Sequence, residues 1–218
     1  MIPTNNNTSK IATTIDLVRH GEVSTPGLFC ASADEPLSDI GWSQLKALAP
    51  TDSDTNKLPW HRIICSPQRR CREFAEGFAQ QHAIPLNIEP NWREMNFGDW
   101  TGMRYESVWD GDRDRLMQLW SNPLSFTPPG ADGESMLDFI ERIETAWLTL
   151  RSSYQGQNIL LLTHAGVIRS VLAHTLSMDY QLTQKLHIAY GRVNRVRCYA
   201  DGETSLLNLA CPAQHLTP

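Results

Sequence analysis

The sequence predicts an α/β protein built as a three-layer sandwich, in which helices flank a mostly parallel central sheet. Residues 15–18, 62–65 and 158–163 form short apolar runs typical of buried strands, and each run precedes a stretch of helical character. Strands that alternate with helices favour a parallel sheet, because each helix returns the chain to the same edge. Residues 193–200 and 205–210 predict two further strands, joined by a turn at Asp201-Gly202, that close one edge of the sheet.

The helices are predicted from capping residues and apolar stripes. Ser38 is expected to cap the first helix, and Ser66 and Pro67 are expected to be the N-cap and first residue of the second. Each predicted helix has apolar residues at helical spacing, which indicates a face packed in the core. These residues are Trp42, Leu45 and Leu48; Phe74 and Phe78; and Leu137, Ile140, Ile143, Trp147 and Leu150.

Length and charge limit the organisation and the partners. The 218 residues suffice for one sizeable core, so we expect a flexible N-terminus over residues 1–12 and a single domain over 13–218. The formal net charge is −5 and the basic residues cluster densely only at 69–72, which argues against a nucleic-acid partner. No apolar run is long enough to span a bilayer, so no membrane partner is expected. Five cysteines without a C-x-x-C pair fit a cytoplasmic location.

Two histidines follow predicted strands directly. Arg19 and His20 come after the first apolar run, and His164 comes after the run at 158–163. In open α/β sheets, ligands bind at the carboxyl ends of the strands, where helix N-termini favour anions. A guanidinium beside an imidazole at this edge predicts a phosphate that is bound and attacked.

Arg69 and Arg70 are expected in the first turn of the second helix. Cations there oppose the helix dipole at a cost of about 0.3–1 kcal/mol each. An anionic ligand would offset that cost, since the arginine fork matches phosphate oxygens. The alternative is a solvated basic turn whose arginines pair with surface acids.

Residues 91–102 mix aromatic, charged and glycine residues without helical or strand periodicity, which predicts a structured loop. Glu94 and Asp99 in this loop are candidate proton donors or acceptors, and a surface acid paired with Arg93 is the alternative. We expect residues 91–133 to form a cap insertion over the carboxyl ends of the strands. Tyr105, Trp109 and Trp120 would then either line a substrate pocket or pack within the cap.

Four motifs in this order resemble the histidine phosphatase superfamily, also called phosphoglycerate-mutase-like, over about residues 14–200. The motifs lie at residues 17–22, 65–70, 93–102 and 163–169. The resemblance implies that His20 is the nucleophile that becomes phosphorylated and that Glu94 is the proton donor. It also implies a set of groups that hold the phosphoryl oxygens. These are Arg19, Arg70, His164 and Ala165, with Arg70 rather than Arg69 at the family's arginine position.

Within the superfamily, the loop at 93–102 resembles the phosphatase branch, and residues 23–28 lack the asparagine-bearing loop of the mutases. The combination of residues 27–30, 36–38, 71–76 and 93–100 is most similar to the bacterial α-ribazole phosphatases. This implies hydrolysis of α-ribazole 5′-phosphate to α-ribazole in the assembly of the lower ligand of cobalamin. A broad-specificity phosphatase and a mutase-like enzyme are the alternatives.

The chemistry expected from these residues needs neither a metal nor a cofactor. Two arginines and a second histidine can stabilise the transferring phosphoryl group, while the same arginines favour neutral, nucleophilic His20. The partner is therefore expected to be a small-molecule phosphomonoester, and a homodimer is compatible with the sequence. A metal site of His20, His164 and Cys65 is a competing idea without supporting spacing. A module that binds phosphate without turnover would need neither His20 nor Glu94.

Overall fold

A single sheet forms the middle layer of the protein. The computed structural model describes residues 12–30, 34–49 and 58–213, and in these residues six strands pair in the order β3-β2-β4-β1-β5-β6. The first four strands in the chain are parallel, and the last two are antiparallel to their neighbours. The bounds are β1 Ala12–Arg19, β2 Arg62–Cys65, β3 Leu86–Ile88, β4 Asn158–Thr163, β5 Val193–Tyr199 and β6 Thr204–Cys211.

Helices cover both faces of this sheet. Their bounds are α1 Asp39–Lys46, α2 Arg69–His82, α3 Tyr105–Gly111, α4 Arg113–Ser121, α5 Met136–Ser153 and α6 Ala165–Thr175. Because successive strand residues point to opposite faces, Leu17 joins the apolar cluster under α5 and α6, while Val18 joins the cluster under α1 and α2. The predicted three-layer α/β sandwich with a mostly parallel sheet is therefore confirmed.

The strand predictions agree with the structure, including the antiparallel pair of β5 and β6 at one edge. The prediction that residues 1–12 are flexible lies outside the described residues, except for Ala12, where β1 begins. All five cysteines are described, and none forms a disulfide. No helix in the described parts of the chain is long and apolar enough to cross a membrane.

Two helix predictions need correction. Ser38 caps α1 as predicted, but α2 begins at Arg69 with Gln68 as its N-cap, so Ser66 and Pro67 precede the helix. The buried Ser66 hydroxyl instead contacts His164. In α5, Leu137 is 58% exposed, so its assignment to the core was wrong. Met136 and Phe139 are buried in its place, because the apolar face of α5 begins one residue earlier in the chain.

Asp16 is a carboxylate buried in the middle of the apolar first strand. It lies opposite Arg195 in the pairing of β1 with β5, and its Oδ1 accepts a 2.8 Å bond from Arg195 Nε. Its Oδ2 accepts further bonds from Arg195 Nη2 and from Trp60 Nε1. A buried charge needs such compensation, since desolvation costs several kcal/mol per ion. This ion pair therefore allows a charged residue within β1.

Candidate active site

His20 and His164 meet at the carboxyl edge of the sheet because they follow adjacent parallel strands. The His20 N–H donates to the Thr163 carbonyl at 2.9 Å, which continues the β1–β4 pairing past the end of both strands. The two imidazole centroids are 5.2 Å apart, and both side chains are buried. The structure therefore brings together the two histidines that the sequence placed at strand ends.

The His20 ring is held in one orientation. Its Nδ1 lies 2.7 Å from the carbonyl oxygen of Gly21, and a carbonyl can only accept a hydrogen bond. Nδ1 therefore carries the hydrogen, and Nε2 keeps a free lone pair. Burial, followed by the charges of Arg70 and Arg19, lowers the pKa of His20 well below its usual value of 6.5. The ring is consequently neutral at neutral pH.

Gly21 allows α1 to approach this histidine closely. A Cβ at Gly21 would overlap the carbonyl group of Gly41 in the first turn of α1. The Glu22 carbonyl accepts from the Ser38 N–H, while the Ser38 hydroxyl donates to the Glu22 carboxylate. The segment after His20 is thus fixed against the cap of α1, and this close approach accounts for the glycine directly after the histidine.

His164 lies between Arg70 and Ser66. Arg70 Nη2 is 3.2 Å from His164 Nδ1, and a guanidinium can only donate, so this nitrogen accepts. Nε2 then carries the hydrogen and donates to Ser66 Oγ at 2.7 Å. Burial and the charge of Arg70 lower the pKa of His164 well below its usual value. Sequence reasoning assigned Ser66 only a capping role, although it lies inside the second motif.

Arg19 lies beside His20 and under an aromatic ring. Its Nη1 donates to the Ile188 carbonyl at 2.8 Å, and its guanidinium carbon lies 3.7 Å from the Tyr190 ring centroid. Burial lowers the pKa of Arg19, even though Tyr190 and Glu94 act in the opposite direction. The Tyr190 ring is also 5.6 Å from that of His20. Sequence reasoning missed Tyr190, since no motif marked it.

Glu94 reaches the same edge from the loop before α3. Its Oε2 accepts from the Gly166 N–H at 3.1 Å, in the first turn of α6. A Cβ at Gly166 would overlap the carboxylate of Glu94, so glycine is needed for this approach. Ala165 begins α6 directly after His164, which is the N-cap residue of that helix. The carboxylate of Glu94 therefore lies beside the segment that carries His164.

The loop of Glu94 is anchored from behind by α5. Arg142 forms a two-pronged ion pair with Glu134, at 2.7 and 2.8 Å, and donates to the carbonyls of Asn91 and Arg93. Glu134 also accepts from the backbone N–H of Asn96. Charge-assisted, two-pronged bonds are strong and directional, so this pair fixes the backbone on both sides of Glu94.

Two sequence candidates lie away from this cluster. Arg69 Nε donates to Glu73 at 2.7 Å on the outer face of α2, as in the alternative of a solvated basic turn. Asp99 is exposed, and its carboxylate lies against Gly130. The sequence alternative in which a candidate acid of this loop pairs with Arg93 does not apply to Glu94, because Arg93 forms its ion pair with Glu134.

The competing metal site is not supported by the geometry. In the described residues, no group of three or more His, Cys, Asp or Glu side chains is arranged to hold a metal ion. Cys65 Sγ donates to the Ser66 carbonyl instead of facing the histidines. Cys71 is closer, with Sγ 3.8 Å from His164 Nε2, but burial raises the pKa of its thiol to about 12.

The candidate substrate aromatics contact one another. The centroid of the Tyr105 ring lies 6.1 Å from the ring centroid of Phe29, 6.4 Å from that of Trp109 and 6.0 Å from that of Trp120. Backbone bonds from Phe29 to Met103 and from Tyr105 to Gly27 join this cluster to the loop after β1. Tyr105 and Trp120 are still 37% and 39% exposed, so each keeps a ring surface in contact with solvent.

The chain belongs to the histidine phosphatase superfamily (branch 1), whose family model matches residues 15–210. It is 30% identical to the adenosylcobalamin/α-ribazole phosphatase of Salmonella typhimurium, over 74% of this chain and 79% of the relative. It is 26% identical to a bifunctional protein of Mycobacterium tuberculosis over 87% of this chain, and it spans about half of that relative's length, 51%.

The fold also matches that of solved structures. The α-ribazole phosphatase of Shigella flexneri superposes with a TM-score of 0.77, at 24% identity, over 94% of this chain and all of the other. Bacillus stearothermophilus YhfR gives a TM-score of 0.82 at 22% identity, over 91% of this chain and 97% of the other. At these identities, the likeness concerns the fold.

Proposed function

We propose that this protein is a phosphomonoesterase that works through a phosphohistidine at His20. The observation that carries the proposal is the hydrogen bond between His20 Nδ1 and the Gly21 carbonyl, which leaves the lone pair on Nε2 of a neutral ring. A free lone pair on a neutral ring that lies among cations suits a nucleophile. His164 is also neutral, but both of its ring nitrogens are already engaged by Arg70 and Ser66.

In the proposed first step, His20 Nε2 attacks phosphorus and the bond to the leaving oxygen breaks. Arg19, Arg70 and the backbone at Ala165 bind the phosphoryl oxygens and stabilise their charge, which is the main requirement of phosphoryl transfer. His164 donates to these oxygens once Arg70 turns from His164 Nδ1 to the phosphoryl group, because Nδ1 can then carry the hydrogen while Nε2 accepts from the Ser66 hydroxyl. Glu94 gives its proton to the leaving alkoxide. The Gly21 carbonyl stabilises the positive charge that develops on the ring through the Nδ1–H group.

In the second step, water attacks phosphorus and the phosphorus–nitrogen bond breaks. Glu94, now ionised, takes a proton from that water, and His20 returns to its neutral form. Every proton and bond is thereby accounted for by groups of this chain, and no metal or cofactor takes part.

The expected absence of nucleic acid among the partners and the compatibility with a homodimer stay predictions of the sequence.

We propose α-ribazole 5′-phosphate as the substrate, and the cytoplasm as the location. Two observations support this substrate: the similarity to α-ribazole phosphatases, and the aromatic cluster in the proposed cap, residues 91–133. A flat base stacked on Tyr105 or Trp120 would gain about 1–3 kcal/mol. A broad-specificity phosphatase with the same site would lack this preference.

The test of the reaction is to trap the intermediate. Brief reaction with labelled phosphomonoester, followed by acid or base quenching, should give a base-stable, acid-labile phosphoenzyme. His20→Ala should abolish both this phosphoenzyme and turnover, by at least about 10⁴-fold, because no other side chain replaces the nucleophile. Full activity of His20→Ala, or complete loss of native activity on chelation, would contradict the mechanism.

The test of the substrate is catalytic efficiency on α-ribazole 5′-phosphate, 3-phosphoglycerate and a sugar phosphate. We expect α-ribazole 5′-phosphate to be preferred. A tenfold or greater preference for either competitor would overturn the substrate and leave the phosphohistidine chemistry intact. Phosphate binding to the native protein without turnover of any ester would instead identify a binding module.

Glu94→Gln tests the proton donor. Alkyl phosphates have poor leaving groups that need a proton, so their kcat/KM, which covers only the steps up to phosphoenzyme formation, should fall by about 10²–10⁴-fold. The kcat/KM of aryl phosphates should fall much less, because a phenolate leaves without a proton. Equal losses on both substrates would mean that Glu94 does not protonate the leaving group.

A further inference from the structure

Gln68 connects two parts of the candidate site that come from different segments of the chain. It precedes α2 as the N-cap residue, but its side chain makes no capping bond to that helix. Its Oε1 instead accepts from the backbone N–H of Glu94 at 3.0 Å and from Arg70 Nη2 at 3.2 Å. Residues 66–70 and the loop of Glu94 therefore meet at this one oxygen.

The position does not favour glutamine for local reasons. N-cap positions favour Ser, Thr, Asp or Asn, whose short side chains reach the first N–H groups of the helix. The longer side chain of Gln68 extends across to the Glu94 loop. Because a backbone N–H and a guanidinium both donate, the amide oxygen must face them, which fixes the orientation of the whole group.

These contacts form one chain through the site. Arg70 Nη2, which donates to Gln68, also contacts His164 Nδ1, and His164 in turn contacts Ser66. The side chain of Glu94 is held separately by the Gly166 N–H. Gln68 is thus the side chain that ties the backbone of the proposed proton donor to an arginine of the proposed phosphate clamp.

We propose that Gln68 is a positioning residue that sets the placement of Glu94 relative to the phosphoryl group held by Arg70. This inference rests on the proposed function, in which Glu94 protonates the leaving oxygen. Without the Gln68 oxygen, the Glu94 N–H loses its acceptor and the loop shifts. The anchoring by Arg142 and Glu134 keeps the loop folded, so the change is one of placement.

The informative variant is Gln68→Met, which keeps the length of the side chain and removes the acceptor. We expect kcat/KM for an alkyl phosphate, which covers only the steps up to phosphoenzyme formation, to fall by about 10–30-fold, since misplacement of a catalytic group by even 1 Å costs up to about 10². The kcat/KM for 4-nitrophenyl phosphate should fall by less than about 3-fold, because its leaving group needs little protonation.

Two further variants separate positioning from simple structural damage. Gln68→Glu keeps an acceptor oxygen, so it should restore the wild-type ratio of alkyl to aryl kcat/KM, while its charge beside the phosphate raises KM for both substrates. Gln80→Met makes the same chemical change on the exposed surface of α2 and should leave both kcat/KM values unchanged. Unchanged kcat/KM values in Gln68→Met, or equal losses on both substrates, would overturn the proposal.

A second measurement keeps the inference apart from the proposed function. The Glu94 backbone amide should shift in the ¹⁵N–¹H spectrum of Gln68→Met and stay in place in Gln80→Met. If the wild-type protein forms no phosphoenzyme, the proposed function fails, whereas an unmoved Glu94 amide overturns the role of Gln68 by itself. A shifted amide with a changed alkyl-to-aryl ratio supports both.

Discussion

Arg195 is buried opposite β1, and Arg19 is half-buried at the end of β1, but the two arginines are compensated in opposite ways. Arg195 forms a two-pronged ion pair with Asp16, and this bond raises its pKa. Arg19 bonds to a carbonyl and lies against Tyr190, and burial lowers its pKa. In the described residues, no carboxylate forms an ion pair with Arg19, and its Nε has no hydrogen-bond partner.

The difference separates a charge that serves the fold from a charge that serves a ligand. A buried cation without an anion is costly in the free protein, and the arrival of an anion relieves that cost. An incoming anion would bring no such relief at Arg195, because the guanidinium already donates to both carboxylate oxygens of Asp16. The position of Arg19 beside neutral His20 therefore supports the proposed phosphate site. Substitutions at Arg19 and at Asp16 test the two roles separately.

The largest effect is expected at the site. Arg19→Ala should lower kcat/KM for phosphomonoesters by about 10³-fold, because a charged donor that stabilises the transferring group is lost. The melting temperature should stay the same or rise, since a desolvated charge is removed. Steady-state kinetics and thermal unfolding of the same preparation measure both. A matching fall in stability and activity would contradict the comparison.

At the structural pair, the expected loss is of stability. Asp16→Ala leaves Arg195 buried without its anion, so the free energy of unfolding should fall by about 3–5 kcal/mol. Molecules that remain folded should keep their kcat, because Asp16 does not contact the histidines. Denaturant unfolding with activity per folded molecule provides the measurement.

The control for this pair replaces both partners. The double variant Asp16→Leu with Arg195→Met removes the two charges together, and it should recover most of the stability that Asp16→Ala loses. If the double variant were as unstable as Asp16→Ala, loss of packing rather than an uncompensated charge would explain the effect.

The sequence predicted the residues whose positions follow from local pattern. His20 and His164 each follow an apolar run that forms a strand. Because the carboxyl ends of parallel strands lie at the same edge of a sheet, the two histidines are brought together without help from long-range side-chain contacts. Ser66, Gln68 and Tyr190 could not be assigned in this way, since their roles depend on contacts between distant residues. Ser66 meets His164 across 98 positions, and Gln68 meets Glu94 across 26.

The error at Leu137 has a related cause. Leu137 and Met136 are adjacent and both apolar, so either could begin the buried stripe of α5. The direction from which the sheet and the loop of Glu94 approach the helix decides between them. Local periodicity therefore predicted the helix and most of its core, including Ile143 and Trp147, but not the edge of its buried face.

The smallest expected effect is the pH dependence of stability. Burial and the neighbouring arginines lower the pKa of His20 and of His164 in the folded protein, whereas an unfolded histidine titrates near 6.5. Below that pH the unfolded chain binds more protons than the folded one, so the free energy of unfolding must fall as the pH falls. Stability from this source is fully present above pH 6.5 and is lost on acidification.

His20→Asn and His164→Asn should each weaken this dependence between pH 7.5 and 5, because each removes one histidine that the fold keeps neutral. Exposed His187 offers a matched control, and His187→Asn should keep the wild-type dependence because solvent reaches its ring in both states. Denaturant unfolding at the two pH values gives the result. If His20→Asn lost stability on acidification as steeply as the wild-type protein, the fold would not hold His20 neutral. The proposed nucleophile would then lose the electrostatic basis on which its assignment rests.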